Sequence, residues 1–139
     1  MFQSEHRGAY GDIEWHTTNV TESAQFYASA SEIRPVDNVE ARASISVGES
    51  VCQYGRKSNS RDCSLTVFDA SIACTLSDVF NDRLVQMDAI TSVVGDGGGG
   101  WSLFNTAYGS QKGWCANKDA WSVADLFDEA IGVIVVVAG

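Results

Sequence analysis

The sequence predicts an all-β fold, an antiparallel barrel or sandwich closed by one C-terminal helix. Three observations predict it. Short apolar–polar alternations recur along the chain; Gly, Ser, Asn and Asp turns separate them; and helical periodicity occurs clearly only once, near the end. With 139 residues the chain is expected to form one domain, residues 1–139, large enough for a real core. A single proline and ordinary apolar content argue against disorder.

The elements follow in order. Residues 12–17 alternate apolar and polar, as a half-buried strand does. Residues 43–47 alternate as well, then 48–50 lead into Val51 and Cys52. Further strands are predicted at 64–68, 71–76, 84–87, 101–104 and 106–109. Spacing of this kind belongs to antiparallel barrels and sandwiches. Ser122 is placed to cap a helix, with Asp125 three residues on. Val123, Leu126, Phe127 and Ala130 then fall on one face, and Gly132 is placed to end it. Residues 133–137 resume as extended chain.

Nine basic and eighteen acidic residues give a net charge of −9. Such a balance repels phosphate backbones and anionic bilayers, so neither nucleic acid nor membrane is an expected partner. No apolar run approaches the roughly 20 residues that span a bilayer. The first six residues have neither the basic nor the apolar region of an export signal, which would lie upstream.

Four cysteines allow three pairings. No C-x-x-C pair is present, and His6 and His16 have no zinc-like spacing, so no metal or other cofactor is expected. Disulfides in an exported domain are the better reading. Cys52 and Cys63 bracket a polar, turn-like stretch, and a bond between them could staple the base of a hairpin. Cys74 and Cys115 would then pair by default.

The glycine run Gly95, Asp96, Gly97, Gly98, Gly99, Gly100 is the most unusual local feature. By itself it reads as a flexible turn. It is no nucleotide loop, because no Lys-Ser/Thr follows and the next element reads as a strand. Glycines do let several backbone N–H groups turn toward one point.

Residues 95–99, Gly-Asp-Gly-Gly-Gly, resemble the Gly-Asp-Ser-Gly-Gly signature of chymotrypsin-fold serine peptidases, with glycine in place of the nucleophilic serine. The bacterial secreted group of streptogrisin and α-lytic type is the most similar. Residues 47–56 with Cys63 resemble that group's Val-Gly-x-x-Val-Cys-Arg-x-Gly segment and first disulfide. Residues 12–15 resemble the strand carrying the triad aspartate, and 126–133 the closing helix and final strand. The resemblance implies the C-terminal half of such an enzyme: a Greek-key barrel, the second of the trypsin-like fold, with a C-terminal helix.

Site roles follow from the resemblance alone. Asp12 matches the aspartate that orients the catalytic histidine, although it also reads as a turn residue after Gly11. Gly97 holds the nucleophile position, and the N–H groups of Gly95 and Gly97 match the oxyanion-hole donors. His6 is too close to Asp12 in sequence and His16 lies within a strand, so the triad histidine is absent from this chain. Asp96 matches a buried aspartate whose usual cation is replaced here by Gln53; either Arg56 or another cation reaches it, or it stays solvated. Lys112, Gly113 and Trp114 align with the substrate-binding strand of the specificity pocket. Trp114 either narrows that pocket or packs in the core, and packing is favoured. A Cys74–Cys115 bond would tie the pocket wall to a neighbouring strand. Ser92 and Ser102 lie near the glycines but have no recognisable base.

The implied function is therefore that of a serine endopeptidase homologue, inactive as this chain, with a pseudopeptidase that binds peptide or protein as the alternative. Secretion is implied. So is an apolar face for a missing N-terminal barrel, or else self-association.

Overall fold

The computed structural model describes residues 1–138, the side chain of Trp15 excepted. Among the described residues twelve strands are formed: β1 (Phe2–Gly8), β2 (Gly11–His16), β3 (Gln25–Ser29), β4 (Glu32–Pro35), β5 (Asn38–Val39), β6 (Cys52–Gly55), β7 (Ser60–Asp62), β8 (Val67–Leu76), β9 (Val79–Met87), β10 (Gly100–Leu103), β11 (Thr106–Cys115) and β12 (Lys118–Val123). A 3₁₀ turn over Ala124–Leu126 leads into helix α1 (Phe127–Ile131).

The main sheet runs β7-β6-β10-β11-β12-β9-β8 and is antiparallel along that path. Just ahead of β6, the Gly48 N–H donates to Val67 O, the Val67 N–H donates to Glu49 O, and Ser50 bridges to Thr66. The chain entering β6 thus joins β8 and closes the sheet into a ring of β6, β10, β11, β12, β9 and β8. Hairpins join β8 to β9 and β10 to β11 to β12, whereas β9 reaches β10 by a crossover. This is the predicted Greek-key barrel. The crossover, residues 88–99, carries the glycine run across the barrel's end.

Inside the ring, Trp101 and Trp121 stack at 5.8 Å and Tyr108 meets Trp121 edge-on at 6.4 Å. Ile45, Val51, Leu65, Val67, Val85, Met87 and Val123 complete this core with Leu126. Strand β10 contributes Trp101 and Leu103 to it and β11 contributes Tyr108, while β12 is buried along nearly its whole length. A smaller cluster of Leu84, Cys115 and Ala120 lies beyond it, with Ile72, Cys74 and Leu76 packed against it.

Both disulfides are formed. Cys52–Cys63 closes the β6–β7 hairpin, and Cys74–Cys115 joins β8 to β11. Those two strands are not ladder neighbours, so the second bond ties the pocket wall across the barrel rather than to an adjacent strand.

Several local expectations fail for identifiable reasons. Residues 43–47 form no strand: Arg42–Ser44 is a 3₁₀ turn, Ile45 is buried and Val47 is exposed, so only one residue of the alternation faces the core. The segments 64–68 and 71–76 are one strand from Val67, interrupted by register shifts near Asp69 and Ile72. Ser122 caps no helix; it is buried in β12. The helix is a single α-turn after the 3₁₀ turn, ended as predicted by Gly132 at φ +75°. Residues 133–138 join no strand ladder. Strands β1, β3, β4, β5, β7 and β12 lie outside the predicted set.

Candidate functional site

The glycine loop is pinned on both flanks. Gly98 N–H donates to Gln111 O (2.9 Å) and Gln111 N–H donates to Gly99 O (2.8 Å), which docks the loop on β11. Asp96 N–H donates to Val93 O and Gly99 N–H to Asp96 O, closing two tight turns. Gly95 at φ +105° and Gly98 at +83° supply the left-handed conformations these turns require. The N–H groups of Gly95 and Gly97 donate to nothing among the described residues.

Asp96 is buried at 1% exposure, and the expectation of a cation or of solvent around it is wrong. Its Oδ1 accepts from the N–H groups of Lys57 and Ser58, both at 2.9 Å, and its Oδ2 from Val93 N–H at 3.0 Å. Burial alone would raise its pKa; the amides of Ser58, Val93 and Lys57 outweigh burial and hold it below the usual carboxylate range. The turn after β6 wraps the carboxylate so closely that a Cβ on Gly55 would stand 2.2 Å from Asp96 Oδ1. Gln53 is buried beside this turn, with its Nε2 unpaired.

Asp12 is positioned by β2. Ser122 Oγ accepts from Asp12 N–H (3.0 Å) and donates to Asp12 O (3.1 Å), clamping β2 onto β12. The approach depends on Gly11, where a Cβ would meet Ser122 Oγ at 2.7 Å. The Asp12 carboxylate faces no histidine. Lys112 Nζ lies 2.5 Å from its Oδ2 and Arg7 Nε 3.4 Å away. Neither contact has hydrogen-bond alignment, so Oδ2 is held by charge. His6 Nε2 bonds Ala9 O, and His16 Nε2 pairs with Glu14 Oε1 at 3.0 Å.

Two cavities meet at the loop. One, of about 450 Å³, is lined by Asp12, Glu14, His16, Gly97, Ser110 and Lys112, among others. The other, of about 270 Å³, lies between Val93, Val94, Gly95, Gly97, Lys112 and Trp114. Gly97 thus lines the same cavity as Asp12, and a Cβ on it would meet nothing within 4 Å. Trp114 is not in the core: it is 43% exposed and stands on the pocket wall. The β10 ladder ends at Ser110, Gln111 bonds the glycine loop, and beyond Gln111 strand β11 pairs with β12. Lys112, Gly113 and Trp114 therefore offer one open strand edge beside the cavities.

A buried polar network behind the smaller pocket was not legible in the sequence. Trp101 Nε1 donates to Gln111 Oε1 (2.7 Å), and Gln111 Nε2 donates to Ser92 Oγ (3.0 Å) and Asp119 Oδ1 (3.1 Å). Trp114 Nε1 donates to Ser92 Oγ (2.9 Å), whose hydroxyl in turn donates to Asp119 Oδ1. Ser92 is fully engaged and is no nucleophile. Ser102 Oγ accepts from Arg61 Nη1 at 3.1 Å. The only advance signal for this network was the polar residues within otherwise apolar strands.

No protein-family model and no curated protein matches the chain. Solved structures do. A glutamic-acid-specific serine protease, described as using a histidine triad in substrate binding, matches at TM-score 0.71 and 18% identity over 90% of this chain and 66% of its own. The Cellulomonas bogoriensis chymotrypsin matches at TM-score 0.70 and 19% identity over 91% of this chain and 69% of its own. The chain thus spans about two thirds of their length, more than the half that the sequence suggested. What such similarity establishes is architecture: the chain has the chymotrypsin-like serine protease fold.

Proposed function

We propose that the chain is a serine endopeptidase homologue that lacks acyl-transfer chemistry and retains a peptide-binding cleft. One observation carries this: the cavity that joins Gly97 to Asp12 holds no hydroxyl at the first, and the second pairs with Lys112 instead of an imidazole. Acyl transfer in this fold needs a nucleophile and a base in hydrogen-bond reach. His16 lines the same cavity, but its Nε2 is taken by Glu14 rather than by Asp12.

The binding elements are a separate matter, because they are largely backbone. The open edge at residues 112–114 suits an extended peptide added as a further strand. The smaller pocket, walled by Val93, Val94 and Trp114, suits an apolar side chain, since its polar floor groups are bonded to one another. Residues 1–139 act as one unit in this proposal, exported with both disulfides formed. Titration of an acetylated tetrapeptide against intrinsic tryptophan fluorescence, in the parent and in Trp114→Phe, tests the cleft. Saturable quenching with no cleavage of the peptide supports the proposal, and absence of binding at millimolar peptide overturns it.

A further inference from the structure

We propose that the chain carries a second binding site, apart from the cleft, for a polypeptide segment that presents an aspartate or glutamate beside an aromatic residue. A cavity of about 490 Å³ lies between the β3–β4 hairpin and the turn from β6 to β7, lined by Tyr27, Ala30, Tyr54, Arg56 and Asn59. It shares no lining residue with either cavity of the cleft. A further space of about 310 Å³ runs from Tyr27, Tyr54 and Arg56 along residues 95–100. Arg56 and Asp96 are the only charged residues that line these two spaces, and the Asp96 carboxylate is already bonded to three backbone amides. Of the other carboxylates on these hairpins, Glu32 pairs with Arg34 and Asp62 bonds Ser64; neither lines the site, nor does Glu22.

The donors at this site are unspent. Because amides satisfy Asp96, Arg56 has no anion to answer: among the described residues its guanidinium meets no carboxylate, hydrogen-bond acceptor or ring. Tyr54 Oη donates to Asn59 Oδ1 at 3.1 Å, which leaves Asn59 Nδ2 without an acceptor among the described residues. Neither Tyr27 nor Tyr54 stacks on another described ring, and Tyr27 is 60% exposed. The support beneath is fixed. Asn59 N–H donates to Gly55 O, the amides of Lys57 and Ser58 hold Asp96, and Cys52–Cys63 closes the hairpin. Arg56 and Asn59 therefore stand on one pinned turn, which lowers the ordering cost of binding. A guanidinium takes a carboxylate through two parallel N–H bonds, and the tyrosine faces take an aromatic side chain. One free cation suits one carboxylate, whereas a polyanion would be repelled by the chain's net charge of −9.

The probes are an acetylated, amidated pentapeptide with glutamate between tyrosine and phenylalanine, its glutamine twin, and heparin as a polyanion. Amide NMR of the isotope-labelled chain gives both affinity and place. The glutamate peptide is expected to shift residues 25–30 and 54–59 and to bind at least about fivefold more tightly than its twin. That ratio should fall to one in Arg56→Gln, and both peptides should weaken in Tyr27→Ala. Equal affinity of the twins for the parent, or a ratio unchanged in folded Arg56→Gln, would overturn the inference. So would shifts confined to residues 110–114 of the cleft, no shift at millimolar peptide, or tighter binding of heparin at the same amides. Unchanged affinities in Tyr27→Ala would overturn the part given to the aromatic wall. Should Arg56→Gln fail to fold, the parent's ratio and the location of its shifts decide. The site stands or falls independently of peptide binding in the cleft, because the two sets of amides are read separately.

Discussion

Lys112 Nζ lies 2.5 Å from Asp12 Oδ2, across the cavity that Gly97 lines. Strand β11 supplies the lysine and β2 the aspartate, so the contact joins the barrel to the N-terminal hairpin packed on it. The aspartate thereby has counter-charges from within the chain. An imidazole approaching Asp12 would have to compete with both Lys112 and Arg7.

Gly55 and Gly97 should respond oppositely to an added methyl group. At Gly55 the new Cβ would stand 2.1 Å from Asp96 Cγ, inside the wrapped carboxylate; at Gly97 it meets open space. We expect Gly55→Ala to cost about 3 kcal/mol or more through overpacking, and Gly97→Ala to stay within about 0.5 kcal/mol of the parent. Urea unfolding at pH 7 measures both.

Asp96 should make stability fall in acid. Its folded pKa lies below the usual value, so its contribution is fully present above the unfolded pKa, near 3.9, and is lost as pH falls through the folded pKa. Asp96→Asn should cost about 2–3 kcal/mol at neutral pH, the scale of hydrogen bonds to a charged group. The variant's Tm should also fall less than the parent's between about pH 6 and pH 3. Parallel slopes in thermal melts across that window would refute the assignment.

The two disulfides should differ in weight. Loop entropy favours the longer closure: Cys74–Cys115 spans 41 residues against 11 for Cys52–Cys63. Their contributions are about 4 and about 3 kcal/mol on that account. Paired Cys→Ala replacement and urea unfolding would rank them, with the Cys74/Cys115 variant expected to be the weaker protein.

Large apolar side chains remain uncovered on this chain, among them Phe2, Tyr27, Ile33, Phe68, Phe80 and Phe104. We expect concentration-dependent self-association, or binding of a supplied N-terminal barrel. Sedimentation across a hundredfold range of concentration checks this, and a constant monomer mass throughout would speak against it.

The sequence made the barrel legible where burial is one-sided. In residues 12–14 the alternation survives, with Ile13 buried between half-buried Asp12 and exposed Glu14. It failed where a single residue did the burying, as at Ile45, and where both faces are covered, as in β12, whose residues Asp119–Val123 are all buried. The helix forecast failed through Ser122, because its hydroxyl serves the Asp12 backbone 110 positions away. Likewise the site's glycines could be recognised, but the partners of Asp96 could not. Backbone amides leave no mark in composition, so a cation was sought where three N–H groups suffice. Trp114 was misplaced because an indole whose N–H finds Ser92 can stand on a pocket wall as stably as in a core.

The central claim is that the cleft persists without acyl-transfer chemistry. Hydrolysis of chromogenic peptide substrates, measured alongside labelling by a serine-directed fluorophosphonate, tests it most directly on three proteins: the parent, Gly97→Ser, and Gly97→Ser with His16→Ala. The account predicts neither turnover nor label in the parent. It also predicts no turnover in Gly97→Ser, because a hydroxyl fits at position 97 but Asp12 presents no histidine to it. Labelling with turnover by the parent, or turnover in Gly97→Ser that disappears with His16→Ala, would contradict it.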